Sequence, residues 1–274
     1  MVSALKRAGL SGPQRLVGQV LSALSDAGVF RLRAVVVGTT AFQTYQGMLG
    51  VKFKGATLQT GDIDLAQFPC ISIAVGDSLG TPFLDVLKSV DPRFDGIPGL
   101  DPGSPYTRFA LGKELRVDIL TPFRGKEPDA PTALPAIGAS GASLRFLDYL
   151  VYHEKAAVVL HGGGVLVNVP EPERFALHKL IVSQRRFDTA DGRVKSRKDI
   201  AQAQQLIEAL CDISPEELRD AWEELWARGP SWREHVARAV RALAPQIRAS
   251  LANCLGSSPW EEPPAEADHG IQPQ

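Results

Sequence analysis

The sequence is poor in the residues that most directly announce a chemistry. Its 274 residues include only three cysteines, Cys70, Cys211 and Cys254, which are far apart and show no C-x-x-C spacing. An odd number of cysteines cannot be fully paired within one chain, so the sequence predicts no disulfide framework. Free thiols are typical of a reducing cytoplasm, and a cytoplasmic location is therefore expected.

Excess charge and long apolar runs are lacking too. The formal net charge is -1, so no whole-protein attraction to nucleic acid or to an anionic membrane is expected, and any such contact depends on a local patch. No apolar run reaches the roughly 18 to 20 residues of a membrane span, and Met1 to Leu10 has no apolar core of the signal-peptide kind. The sequence thus predicts a protein without a membrane partner.

The chain does contain enough apolar residues, 44%, to bury a sizeable core. The spacing of these residues predicts a helix over 13–27, a buried strand over 32–37 and a helix over 41–49. Further predicted elements are a short strand at 62–65, a helix over 81–90, a loop over 91–105 and hairpins over 106–120 and 156–169. Residues 121–141 are predicted to be a linker or a surface excursion across the sheet.

Helical spacing dominates after Pro170, with predicted helices over 175–185, 198–210 and 231–251. Another helix should begin at Ser214, because Ser214, Pro215 and Glu217 form a capping-box start. The predicted fold is α/β (α+β), a small mixed sheet backed by helices plus a C-terminal helical subdomain. Its expected divisions are a catalytic domain (1–170), a helical subdomain (171–255) and a disordered tail (256–274), the last because it is rich in Pro and acids.

A glycine turn lies between the first buried strand and the helix that follows. Gly38 lets the backbone approach an anion closely, while Thr39 and Thr40 add hydroxyls and the helix contributes free N–H groups. Such a turn can bind phosphate. Gly-Thr turns after strands are also common without any ligand, so both interpretations stay open for this segment alone.

Two aspartates alternate with apolar residues in the next strand. At period two Asp62 and Asp64 project from one face, while Ile63 and Leu65 enter the core. Adjacent carboxylates repel each other unless a cation compensates the charge, and rigid oxygen ligands suit Mg²⁺. A solvated strand end or an Asx-rich turn is the alternative.

A third acid, Asp118, lies in the strand Leu115 to Leu120. Leu115, Val117 and Ile119 take one face of this strand, and Arg116 and Asp118 take the other. Taken by itself, Asp118 fits a solvent-facing position on an amphipathic strand better than a metal site.

The order of these three motifs resembles the polymerase-β-like nucleotidyltransferase superfamily. Its pattern, hG[GS], then [DE]h[DE]h, then h[DE]h, corresponds here to Val37-Gly38-Thr39, Asp62-Ile63-Asp64-Leu65 and Val117-Asp118-Ile119. Thr39 stands where the pattern has Gly or Ser and keeps a hydroxyl. The resemblance, which extends over roughly residues 30 to 210, is to bacterial nucleotidyltransferase-like proteins related to the abortive-infection type.

The resemblance implies an activity, ligands and partners. It implies transfer of a nucleoside monophosphate from a nucleoside triphosphate to a hydroxyl on a small molecule, protein or RNA end, with two Mg²⁺ ions, or Mn²⁺ in their place, held by Asp62, Asp64 and Asp118. It also implies a toxin-antitoxin or defence partner. The alternative is a catalytically silent module of the same fold that acts as an antitoxin or regulatory partner.

A basic segment in the helical part resembles one that follows the catalytic domain in abortive-infection-type proteins. It includes Lys179, Arg185 and Lys198, which we predict to bind the triphosphate, or an RNA backbone, through their charge. A solvated loop and helix start is the alternative for this segment.

Overall fold

The computed structural model describes residues 1–54, 61–74, 76–99, 103–123, 131–186 and 188–261. The chain divides into two compact units, Met1–His178 and Lys179–Gln274, and each is described by itself. The division between them falls inside a helix, after His178, and not at the predicted position after Pro170.

Unit 1 combines a mixed sheet with helices. Its described helices are α1 (Val2–Arg7), α2 (Arg15–Asp26), α3 (Gly38–Leu49), α4 (Pro69–Ala74), α5 (Phe83–Val90), α6 (Leu147–Leu150) and the first part of α7 (Pro172–Ser183). Its described strands are β1 (Val35–Val37), β2 (Asp62–Ala66), β3 (Asp95–Gly96), β4 (Arg108–Leu111), β5 (Leu115–Pro122), β6 (Thr132–Leu134), β7 (Ala139–Leu144), β8 (Glu154–Val159) and β9 (Val165–Pro170).

The main sheet has the strand order β1-β2-β5-β4-β3, and β7 extends it by pairing with β5 and β6. Strands β2 and β5 run parallel, as do β5 and β7, whereas the other pairs are antiparallel. Strands β8 and β9 form a separate hairpin. The predicted mixed sheet backed by helices is confirmed.

Alternation along the two central strands explains where the core lies. Ile63 and Leu65 of β2 are buried, as are Val117 and Ile119 of β5, so one face of the sheet packs into the core. Burying each such side chain contributes about 1.5–3 kcal/mol. The opposite face carries the polar side chains of these strands, which are half-buried.

Several predicted elements of unit 1 differ from the structure. Strand β1 begins only at Val35, because the chain turns before it and Arg33 has a φ of 67°. Helix α3 begins at Gly38, so the glycine turn is its first turn. The predicted loop over 91–105 contains the two-residue strand β3.

The linker prediction over 121–141 is wrong where β6 and the start of β7 lie. Strand β7 has the sequence ASGASL, which lacks the β-branched and aromatic residues that predict a strand. Its ladder with β5, in which Leu120 pairs with Ala142, supplies hydrogen bonds that no local pattern indicates. Residues 124–130 of this segment lie outside the described residues.

Unit 2, as far as it is described, is helical, as predicted. It contains the end of α7 and then α8 (Ala190–Ile213), α9 (Pro215–Ala227), α10 (Pro230–Arg241) and α11 (Pro245–Leu255). The single helix predicted over 231–251 is broken at Pro245, because proline restricts the residue before it and Ala244 is extended. Helix α9 begins as predicted, but Ser214 makes no side-chain capping bond.

The predicted tail begins too early. Trp260 is 1% exposed, and its ring lies 5.6 Å from that of Trp222, so the chain remains packed beyond residue 256. Residues 262–274, on which the rest of the tail prediction falls, lie outside the described residues. Within the part of the chain that is described, no helix is both long and apolar enough to cross a membrane.

Candidate active site

The register of the two central strands brings the predicted acids together. Strands β2 and β5 are parallel neighbours, and Asp64 is the direct partner of Asp118. Neighbouring strands lie about 4.8 Å apart and alternate residues share a face. Asp62, Asp64 and Asp118 therefore lie on the same face of the sheet, which we call the acid face.

The glycine turn adjoins this acid face. Gly38 has a φ of +67°, and a Cβ atom added to it would lie 2.2 Å from Oδ2 of Asp64. Only glycine leaves room for this carboxylate against the first turn of α3, where the free backbone N–H groups carry a partial positive charge. Thr39 and Thr40 follow in the same turn and are buried. The hydroxyl of Thr40 has no hydrogen-bond partner among the described residues.

Arg116, which belongs to none of the predicted site residues, bridges two of the acids. Its Nη2 lies 3.2 Å from Oδ1 of Asp62, and its Nε lies 3.2 Å from Oδ1 of Asp118. Strand alternation already places Arg116 and Asp118 on one face. The pairing with Asp62 depends on the β2–β5 register, in which Asp62 is opposite Arg116.

Of the two acids that Arg116 bridges, Asp118 is the more buried: 18% of its side chain is exposed, against 43% for Asp62. Burial raises the pKa of Asp118 above its ordinary value, and the neighbouring Asp62 carboxylate raises it further. Arg116 and Arg108, the latter opposite Asp118 on β4, act in the other direction and offset part of the rise.

The acids offer the hard oxygen donors that Mg²⁺ prefers. Oδ1 of Asp118 is buried, and its contact with Arg116 lacks hydrogen-bond geometry, so it has no hydrogen-bond partner among the described residues. The chemical type of these donors therefore suits a divalent cation. With Arg116 between Asp62 and Asp118, however, no three Asp, Glu, His or Cys side chains in the described ranges are arranged to hold one.

The predicted basic residues lie in unit 2. Lys179 is 8% exposed, and its Nζ lies 2.6 Å from Oδ1 of Asp199. Arg186 binds the other oxygen of Asp199 at 2.8 Å. Arg185 is exposed and Lys198 is partly exposed. Lys179 is thus held in an internal ion pair, and the proposed phosphate contacts of Lys179, Arg185 and Lys198 stay predictions.

A cavity of about 530 Å³, which no sequence motif indicates, lies where β2 and β5 end. Its lining residues are apolar, aromatic or thiol-bearing: Phe68, Pro69, Cys70, Ile71, Pro122 and Tyr152. Pro122 lies on the acid face, because it is four residues from Asp118 on the same strand. Volumes of about 300–1,000 Å³ are typical of small-molecule sites.

A D-x-D strand running parallel to a second acid-bearing strand, with a glycine turn against one carboxylate, defines a domain of the nucleotidyltransferase class. The family model described as "Nucleotidyltransferase" matches residues 15–227, which is most of the chain. The chain therefore belongs to this nucleotidyltransferase family.

Individual proteins add little to this assignment. None of the curated proteins matches the chain. Among solved structures, the chain is similar to the crystal structure of an antigenic nucleotidyltransferase-like protein from Paracoccidioides brasiliensis, with 15% identity and a TM-score of 0.35 over 82% of this chain and 93% of that one. A similarity this low carries no argument about substrates.

Proposed function

We propose that this protein is a Mg²⁺-dependent enzyme that transfers a nucleoside monophosphate from a nucleoside triphosphate to a hydroxyl acceptor and releases pyrophosphate. The observation that carries the proposal is the pairing of Asp64 with Asp118, with the Asp64 carboxylate against Gly38 at the start of α3. Carboxylates and a helix N-terminus then face the same place, as binding of a metal–triphosphate complex requires.

The three acidic side chains would have different roles, which follow from their positions. Asp62 and Asp64 would hold both ions, and Asp118 would hold one ion and orient the attacking hydroxyl. When bound, Mg²⁺ would neutralise the phosphate charge and lower the pKa of the acceptor hydroxyl. The backbone N–H groups of the Gly38 turn would bind phosphate oxygens, since they begin a helix.

The cavity at the ends of β2 and β5 would receive the uncharged part of a ligand. Phe68 and Tyr152 provide aromatic rings and Pro122 an apolar wall, which suit a planar ring of a nucleobase or of a small acceptor. The position of Pro122, about 13 Å along β5 from Asp118, is compatible with a ligand that extends away from the acids.

The position of the label in the triphosphate makes the test specific. The protein is incubated with Mg²⁺ or Mn²⁺, cell extract and each triphosphate labelled either at the α- or at the γ-phosphate. We expect label on an acceptor from the α-labelled nucleotide only, because the γ-phosphate leaves with pyrophosphate. Label transferred from the γ-phosphate would instead indicate phosphoryl transfer and would contradict the proposal.

A catalytically silent module of the same fold is the second candidate, and the arginine between Asp62 and Asp118 favours it. A cation that permanently neutralises the acids would leave no room for a metal ion. Such a module would transfer no label from any nucleotide yet would still bind its partner, which we propose to be a protein of a toxin-antitoxin or defence pair.

Replacing Gly38 by alanine tests whether the glycine turn and Asp64 form one site. The new Cβ would collide with Oδ2 of Asp64, so we expect the carboxylate to shift and transfer to fall by roughly ten-fold or more, since catalytic groups tolerate little displacement. Turnover of the labelled nucleotide measures the effect.

Gly50→Ala is the matched control. Gly50 ends the same helix with the same φ of +67°, but a Cβ there would meet nothing within 4 Å. Both variants should lose about 1 kcal/mol or more of stability from the left-handed backbone, and only Gly38→Ala should lose activity beyond that. Equal activity in the two variants would separate the turn from the catalytic site.

A further inference from the structure

The acid face carries its own counter-charge. Arg116 contacts Asp62 and Asp118 at 3.2 Å each, so one guanidinium links the two strands that bear the acids. Asp64 adjoins Asp62 and Asp118, because it is the strand partner of Asp118 and lies two positions from Asp62. The positive charge of Arg116 therefore lies among the same carboxylates that the proposed function assigns to metal ions.

Arginine has the chemistry of a permanent counter-ion at this position. Arginine is the side chain that proteins use as a permanent cation, because its guanidinium is delocalised and matches carboxylate geometry. It can leave only by moving, and 40% of its side chain is exposed, which gives it a route into solvent. Rotation of the side chain would break the ion pairs with Asp62 and Asp118, and a bound cation would replace them.

Asp118 also gains from an exchange of partners. Its Oδ1 is buried and lies 3.2 Å from Nε of Arg116, in an ion pair that lacks hydrogen-bond geometry. A divalent cation coordinated by that oxygen would satisfy it directly and would bring twice the charge of the guanidinium.

We propose that Arg116 is an internal counter-cation of the acid face, which a divalent metal ion displaces from Asp62 and Asp118 when it binds. This inference rests on the proposed function, because it takes the acids as metal ligands. The competition makes Arg116 a positioning residue that sets the metal affinity and keeps the acids close together before the metal arrives.

The proposal has two consequences that point in opposite directions. Without Arg116 the metal-free protein loses the charge that offsets repulsion between Asp62 and Asp118, so it should be less stable. The metal, in contrast, no longer competes with a cation and should bind more tightly. If Arg116 is only a strand-to-strand ion pair and the metal binds away from the acid face, the first effect is expected without the second.

The experiment measures Mn²⁺ binding to the full chain and to Arg116→Gln by calorimetry, with thermal unfolding in EDTA and in Mn²⁺. We expect the Kd for Mn²⁺ to fall roughly ten-fold in the variant, the scale on which one neighbouring charge changes the affinity of a carboxylate for a cation. The melting temperature in EDTA should fall, and the rise on adding Mn²⁺ should be larger than in the wild type.

Two further variants keep the result interpretable. Arg93→Gln is the matched control, because Arg93 also pairs with two carboxylates, Asp91 and Glu114, but lies outside the acid face, and Mn²⁺ affinity should not change. Arg116→Lys keeps a charge at the site and should bind Mn²⁺ with nearly wild-type affinity. It also serves if Arg116→Gln does not fold, and a ten-fold tighter Kd in Arg116→Lys would contradict the charge argument.

The outcomes separate this inference from the proposed function. Mn²⁺ that binds equally well, or less well, to Arg116→Gln than to the wild type overturns the displacement but leaves the acids as metal ligands. No Mn²⁺ binding to any of the proteins, with or without nucleoside triphosphate, overturns the proposed function and the inference together.

Discussion

Replacing Asp118 by alanine is expected to abolish nucleotidyl transfer while leaving nucleotide binding partly intact. In the proposed mechanism Asp62 and Asp64 would still hold the metal that accompanies the triphosphate, whereas the group that orients the attacking hydroxyl would be lost. We expect turnover to fall by roughly 10³-fold or more, the range that single charged groups contribute to phosphoryl transfer. Steady-state transfer of the α-phosphate label measures the loss, and calorimetry with Mg²⁺–ATP measures binding.

Asp95→Ala is the control for this change. Asp95 lies on β3 of the same sheet and is exposed, and its carboxylate accepts a hydrogen bond only from the adjacent backbone N–H of Gly96 in the described structure. Its removal should leave both turnover and binding unchanged. If Asp118→Ala binds Mg²⁺–ATP normally and also turns over at the wild-type rate, Asp118 has no part in the reaction.

The local half of the candidate site could be predicted from the sequence. Period-two alternation places Asp62 and Asp64 on one face, and the same rule places Asp118 opposite the core, because Val117 and Ile119 are apolar. Both expectations agree with the burial of these strands. The direction in which each side chain projects depends only on the alternation within its own strand. A short sequence pattern contains this information.

The non-local half could not be predicted. The pairing of Asp62 with Arg116 joins residues that are far apart in sequence and depends on which strands are neighbours and in which register. A shift of one residue would turn every side chain of β2 to the other face. The resemblance to the nucleotidyltransferase superfamily implied that the three acids lie close together, but it implied nothing about Arg116.

The distinction between local and non-local information also explains which elements of the fold were not predicted. Strand β7 is made mostly of small residues and forms because the end of β5 extends beyond its pairing with β4. Helix α10 ends before Pro245 because a local steric rule overrides a continuous apolar spacing. Strand β7 cannot be predicted without the assembled sheet. The end of helix α10 could have been predicted, because Pro245 is present in the sequence.

The basic segment of unit 2 shows how a charge cluster can be structural in part. Burial raises the pKa of Asp199, but Lys179 and Arg186 outweigh it and hold that pKa below its ordinary value. We expect Asp199→Asn to destabilise unit 2 by about 3 kcal/mol or more, because it leaves the buried Lys179 charge without its partner. Urea unfolding followed by tryptophan fluorescence measures this, since all four tryptophans lie in residues 179–274.

Asp191→Asn on the same helix is the control. Its carboxylate pairs with Lys195 at 3.0 Å, but its side chain is 77% exposed, so the loss should stay below about 0.5 kcal/mol. Equal losses in the two variants would show that Asp199 does not anchor the segment, and Lys179 would then be available for a phosphate.

The pH dependence gives an independent check of the same ion pairs. As the pH falls, the unfolded chain protonates Asp199 first, near a pKa of about 3.9, because the folded-state pKa is lower. The stabilisation is therefore complete at neutral pH and is lost as the pH falls below about 4 towards the folded-state pKa. The difference in unfolding free energy between the wild type and Asp199→Asn should stay constant from pH 7 to about 5 and shrink below about 4. A difference that instead shrank between pH 7 and 5 would mean that the two cations do not hold this carboxylate ionised.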